Sequence, residues 1–221
     1  MPRYIYGLDP ASKQDYFGIV IHELPDDASP PKLKHIDAIT HQSFDRMYDH
    51  LQGLFNKYEP FYICIDYSNE RTLSDLIVRQ RGDKVETIVF STATKLMLKE
   101  DGLAIMKQGY KFPWFTKVTS PRASNLISQL INQLQSEQII ATRTGKTTFD
   151  HPSGQHNDLA IAWELSIHGC LRFKGRDLIG IGPHEIEELE RPKSSIKIVD
   201  QDGNEIKRDE ERTHTLYRGL Y

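Results

Sequence analysis

Two cysteines, Cys64 and Cys170, are all that 221 residues carry, and both stand among apolar neighbours. That excludes a disulfide scaffold and a cysteine zinc site, and it points to a reducing compartment. No apolar run is long enough to span a bilayer, and no secretory leader opens the chain, so no membrane partner is expected. No internal repeat is visible. Positive charge is not in excess either: 28 Lys and Arg against 31 Asp and Glu give a net charge of −3. Any basic surface for nucleic acid therefore has to be local. Gly145-Lys146-Thr147 mimics the end of a phosphate loop, but Ile140 stands where its first glycine belongs.

What is present is ordinary for a soluble globular protein, 38% hydrophobic and 27% charged. The length suits one good-sized domain, or one domain with an appendage. Tyr4–Glu23 organises it. One apolar run ends in Asp9, a turn carries Pro10, and a second run covers Tyr16 to Ile21, which predicts a β-hairpin. Lys32–Thr40 alternates and predicts a third strand. Ser43 is placed to cap a helix to about Tyr58, with Phe44, Met47, Leu51, Leu54 and Phe55 at helical spacing. Phe61–Asp66 is almost purely apolar, hence a central strand covered on both faces. A helix over Glu70–Gln80, capped by Asn69, and a strand over Lys84–Phe90 follow.

The second half is less regular. Ser91–Tyr110 mixes helical signals with Gly102 and Gly109, and Lys111–Val118 reads as extended or irregular. Ser120-Pro121 starts a helix expected to run to about Gln138. A short hairpin around Gly145 and a last helix from His156 to about Cys170 complete residues 1–172. Residues 173–221 are expected to form an arm, with a small hairpin around Asp202-Gly203 and a flexible end. Three strands in a meander, then helix, strand, helix, strand and further helices, is the element order of the ribonuclease H-like fold: α/β, a mixed five-stranded sheet flanked by helices.

In that fold the first and fourth strands lie side by side, and here both end in aspartate, Asp9 and Asp66. Asp158 falls in the first turn of the last helix, whose packing side carries Ile161, Ala162 and Leu165. A helix docked on the sheet would aim it at the other two. Three converging carboxylates repel one another and call for positive charge. Magnesium or manganese, bound through oxygen, supplies it. Two such ions about 3.5–4 Å apart can activate water and stabilise the leaving oxygen of a phosphodiester. Simpler roles exist for each residue: strand-end aspartates form turns, and acids favour helix N-termini. Asp15 and Glu70 fit such roles. Trp114, Phe112 and Phe115 fit core or loop packing. Lys95, Arg122, Arg143 and Lys146 are either DNA-phosphate contacts or solvated surface charges.

The stretch from Asp9 to Val20, DPASKQDYFGIV, resembles the opening motif of the nuclease domain of viral large terminase subunits, the DNA-packaging motors of tailed phages. His156-Asn157-Asp158-Leu159-Ala160-Ile161-Ala162 resembles its closing motif, Ile65-Asp66 its middle acidic strand, and Phe90-Ser91 with Lys95 the segment after the fifth strand. The likeness spans roughly Arg3 to Cys170. It implies a metal-dependent endonuclease cutting double-stranded DNA during genome packaging, in the cytoplasm of an infected host cell. Asp9 would bridge two ions, Asp66 hold one and Asp158 the other, with His156 assisting, and Lys95, Arg143 and Lys146 would meet DNA. The implied partners are an ATPase domain or subunit, the portal and the small terminase subunit.

Two departures qualify this. Asn157 replaces the first aspartate of the usual closing pair, and Tyr67-Ser68-Asn69-Glu70 stands where a glycine-rich turn is usual. With no ATPase half in the sequence, an excised nuclease domain or a free-standing relative is expected. A Holliday-junction resolvase, another ribonuclease H-like nuclease, or a catalytically silent nucleic-acid-binding or assembly module are the alternatives.

Overall fold

The apolar, β-branched run Arg3–Asp9 forms β1, and everything else is laid against it. The computed structural model describes residues 1–10, 16–40, 43–68, 71–113, 121–141, 147–150, 157–174 and 198–199. β2 (Phe17–Leu24) pairs antiparallel with β1, and β3 (Lys32–Ile39) antiparallel with β2. α1 (Phe44–Lys57) then crosses over, so that β4 (Pro60–Asp66) joins β1 in parallel on its other side. After α2 (Arg71–Arg81), β5 (Val85–Ile88) extends the parallel half. The order β3-β2-β1-β4-β5 is the mixed five-stranded sheet expected of the ribonuclease H-like fold.

Two apolar layers sandwich this sheet. On one side α1 and α2 bury Leu51, Leu54, Phe55, Leu73 and Ile77 against Tyr6, Leu8, Ile19, Ile21, Ile63 and Ile65. On the other lie α3 (Thr92–Lys107), α4 (Pro121–Ser136) and α5 (Asp158–Lys174). α5 is the central one, and Trp163, Leu165, Ile167 and Leu171 are all buried. At about 1.5–3 kcal/mol for each large apolar side chain fully buried, such a helix is held firmly. A second, small sheet joins β6 (Gln138–Ala141) to β7 (Thr147–Asp150) antiparallel and to β8 (Ile198–Val199) parallel.

Several local expectations change. Ser43 does stand at the N-cap of α1, but its side chain makes no capping hydrogen bond. Ser91–Tyr110 is regular rather than mixed: Ser91 and Thr94 close a capping box, and Gly109 at φ 83° ends the helix. Gly102 is tolerated inside α3 because a Cβ there would stand 2.9 Å from the Trp163 ring. α5 runs one turn past Cys170, to Lys174. Phe112 packs against Tyr110 and Trp163, as core does. Asp15, Asn69, Glu70, Trp114, Phe115, the 202–203 turn and the tail from 200 onward lie outside the described residues.

Candidate metal centre at the carboxylate edge

Asp9 is the last residue of β1, and Asp66 the last of the parallel neighbour β4. Leu8 is in register with Ile65, so the two aspartates are adjacent across strands roughly 4.8 Å apart. Alternation along the strands fixes the face. A Cβ on Gly7 would meet the Ala162 carbonyl oxygen of α5, so Asp9, two residues on, faces α5 as well. Cys64 touches α5 at Gly169, and Asp66 follows it by two. Both carboxylates thus sit under the beginning of α5.

Asp158 comes to them through a glycine. Gly18 is the cross-strand partner of Asp9, and a Cβ on it would lie 2.3 Å from the Asp158 carbonyl oxygen. Only hydrogen at that position lets the first turn of α5 rest on β2 beside Asp9. The backbone N–H of Tyr16 donates to Asp158 Oδ2 at 3.3 Å, which ties the start of β2 to the same carboxylate. The exposures are 7% for Asp9, 2% for Asp66 and 8% for Asp158, so the three are buried acids and not surface charges.

Burial pushes the Asp66 carboxyl above the usual aspartate range. The backbone N–H of Ser68, which donates to Oδ1 at 2.8 Å, and the positive charge of Lys95 work in the opposite direction. Lys95 occupies the first turn of α3 and borders a cleft shared with Asn157, Lys99 and Glu164. Of the two sequence-predicted cations among the described residues, Lys95 and Arg122, Lys95 is the one within electrostatic reach of Asp66. Arg122 instead binds Asp37 at 2.7 Å. His156, Arg143 and Lys146 lie outside the described residues. Behind the cleft, Lys99 is clasped by Glu137 and Glu164, a buried ion group that sequence reading missed. On the other side of Asp158, a groove of about 300 Å³ opens between α4 and α5, with Tyr16, Asn132 and Gln133 on its walls.

All-oxygen donors suit hard divalent ions such as magnesium and manganese. Among the described residues, the set of three His, Cys, Asp or Glu ligand atoms that closes within 4.8 Å is found elsewhere, at His35, Asp37 and His50. The ligand atoms of Asp9, Asp66 and Asp158 do not all come within that distance of one another. Gly18 was a missed signal. A glycine inside an apolar strand marks close backbone approach, and here it fixes the position of Asp158.

No family model matches the chain, and no curated protein matches it in sequence. Solved structures do match in fold. The large terminase nuclease of thermophilic phage G20c with bound magnesium aligns with a TM-score of 0.60 and 16% identity, over 76% of this chain and 81% of that one. The large terminase nuclease domain of Thermus phage P74-26 gives 0.57 and 16%, over 75% and 78%. A mutant gp2c of the large terminase subunit from bacteriophage Sf6 with calcium gives 0.51 and 15%, over 75% and 88%. The chain has the fold of these nuclease domains.

Proposed function

We propose that this chain is a metal-dependent nuclease that cuts double-stranded DNA, working as the nuclease part of a viral DNA-packaging motor. The observation that carries this reading is the pair of buried carboxylates, Asp9 and Asp66, side by side at the ends of parallel β1 and β4. The first turn of α5 sits on Gly18 beside them. Like charges buried side by side are costly, and an ion between them would offset that cost. The shared fold with terminase nucleases, one of them holding magnesium, supports the same conclusion.

In this reading Asp9 would serve both of two ions, Asp66 would hold one and Asp158 the other, with His156 assisting. The ions, when bound, would supply a Lewis acid and an activated water for attack on phosphorus. The chain's own part is to hold the carboxylates fixed on rigid elements and to bring Lys95 near a phosphate oxygen. Arg143 and Lys146 complete the proposed DNA contacts, and an ATPase domain or subunit, portal and small terminase subunit the proposed assembly.

The test is cleavage of plasmid DNA with magnesium or manganese. Wild type nicks or linearises it, chelator stops the reaction, and Asp9→Asn or Asp66→Asn abolishes it in a folded protein. Activity equal to wild type in either variant would refute the assignment. Asn157, neutral where the terminase pattern has an acid, supports one competing reading, a silent DNA-binding module. That reading predicts salt-sensitive DNA binding with no cleavage at any manganese concentration.

A further inference from the structure

We propose that His35, Asp37 and His50 form a second metal site, for one borderline divalent transition-metal ion of the zinc class, on edge strand β3 and the face of the sheet covered by α1. His35 and Asp37 are alternate residues of β3, so they share a face, and His50 reaches them from α1. Asp37 Oδ2 lies 3.0 Å from His50 Nε2 and 3.9 Å from His35 Nε2, and the three ligand atoms all fall within 4.8 Å of one another. A tetrahedral ion with bonds of about 2.0–2.2 Å holds its ligand atoms roughly 3.3 Å apart, so small side-chain adjustments close the set.

Two further observations point to an ion. The Nε2 atom of His35 is buried and has no hydrogen-bond partner, an expensive state for a ring nitrogen unless something binds there. Asp37 is already oriented through its other oxygen. Oδ1 accepts from the Ala38 N–H at 2.9 Å and from Arg122 at 2.7 Å, which leaves Oδ2 directed at the two imidazoles. Such outer contacts are how carboxylate ligands are held in place.

The donor set decides the metal class. Two imidazoles and one carboxylate select zinc, copper, nickel or iron over magnesium, whereas the three aspartates on the α5 face select the reverse. Three protein ligands leave a fourth position, and His50, half exposed, places it toward solvent. The bound ion would pin edge strand β3 to α1.

The test is calorimetric titration of the whole chain with zinc in excess magnesium, which occupies hard-ion sites first. One zinc per chain is expected. The affinity should fall by at least about tenfold in His50→Ala and in His35→Ala and stay within error in Asp66→Asn. Cobalt in place of zinc should give visible absorption bands that His50→Ala removes. His50 is exposed on its helix, so its alanine variant folds, and circular dichroism checks this. Zinc binding that is absent, unchanged in both histidine variants, or lost in Asp66→Asn would overturn the proposal.

Discussion

Toward the end of α5, His168 lies 2.7 Å from Asp101 and 3.7 Å from Glu86, and Arg172 lies 2.8 Å from Glu86. At the start of the same helix, Asp158 meets the strand ends that carry Asp9 and Asp66. Both regions gather acids, yet they treat charge in opposite ways. The first brings its own cations: burial pulls the His168 pKa down, but Asp101 and Glu86 outweigh it and raise it to about 9. His168 in turn lowers the Glu86 carboxyl to about 2. In the second, burial raises the Asp66 carboxyl, and the Ser68 N–H and distant Lys95 do not make up the difference. The first cluster is neutralised by cations of its own chain, whereas burial leaves the Asp66 carboxyl less acidic than an ordinary aspartate.

The sharpest way to break this comparison is to exchange the two losses. Asp66→Asn should lower metal-dependent cleavage by more than the roughly 10–100-fold expected for losing an outer partner of a metal ligand. Without metal it should melt no lower than wild type, because a buried charge has been removed. Glu86→Gln should do the converse, keeping cleavage and lowering the melting temperature. Plasmid assays and melting curves on both variants decide it, and a Glu86→Gln variant without activity would show that the two clusters are one.

Next in size is Gly7→Ala. Its Cβ would stand 1.9 Å from the Ala162 carbonyl oxygen, a backbone atom that cannot step aside. Overpacking of this kind costs about 1–3 kcal/mol or more, read by denaturant unfolding, and it lifts α5 off the strand that carries Asp9. Cleavage should fall with stability. Ala at Gly53, inside α1 where a Cβ has nothing within 4 Å, is the control that should leave cleavage unchanged and raise stability by about 0.5–1 kcal/mol through helix propensity alone.

Acidity sharpens the contrast further. His168 has a folded pKa above its ordinary 6.5, so its contribution is complete below that pH and disappears as pH rises through about 9. Discounted for the part of the ring that water reaches, this is on the order of 2 kcal/mol, and His168→Gln should flatten the loss of stability over that window. Glu86 has a folded pKa below its ordinary 4.5, so its contribution is complete above that and is lost as pH falls through about 2. Asp66 runs the other way. Its raised pKa means that acidification relieves the metal-free protein, and Asp66→Asn should remove that gain.

The smallest expected effect is at Lys95. Replacing it with Ala should weaken DNA binding a few-fold without changing sequence preference, and it should reduce the salt slope by about one unit, as for one phosphate contact. With a net charge of −3, binding by the whole chain should already be weak and steep in salt.

The sheet and its acidic edge could be read from the chain because the strands obey simple patterns. Tyr62–Asp66 is buried on both faces and reads as such, although Phe61 before it is exposed, and alternation in Lys32–Ile39 marks an edge strand. α3 could not be read, for a physical reason. It exposes Leu96, Leu103 and Met106 while burying Asp101 against His168, so its polarity is inverted on both faces. The pairing of His22 with Ser166 and Tyr110 was equally hidden. A histidine inside an apolar strand gives no sign that a hydroxyl 144 residues away will satisfy it. The His35–Asp37–His50 group belongs to the same class: the strand supplies two ligands in plain alternation, but only the crossover of α1 supplies the third.

Where α5 touches Gly7 and Gly18, main chain rests on main chain with no layer of side chains between. Side chains hop between rotamers and so act as a compliant gasket, whereas two backbones in contact behave as a bearing surface. Both supports lie in the first half of α5, and the one at Gly18 is the Asp158 carbonyl itself. The height of Asp158 above the strand ends is therefore set by two main chains and not by the rotamers of its neighbours.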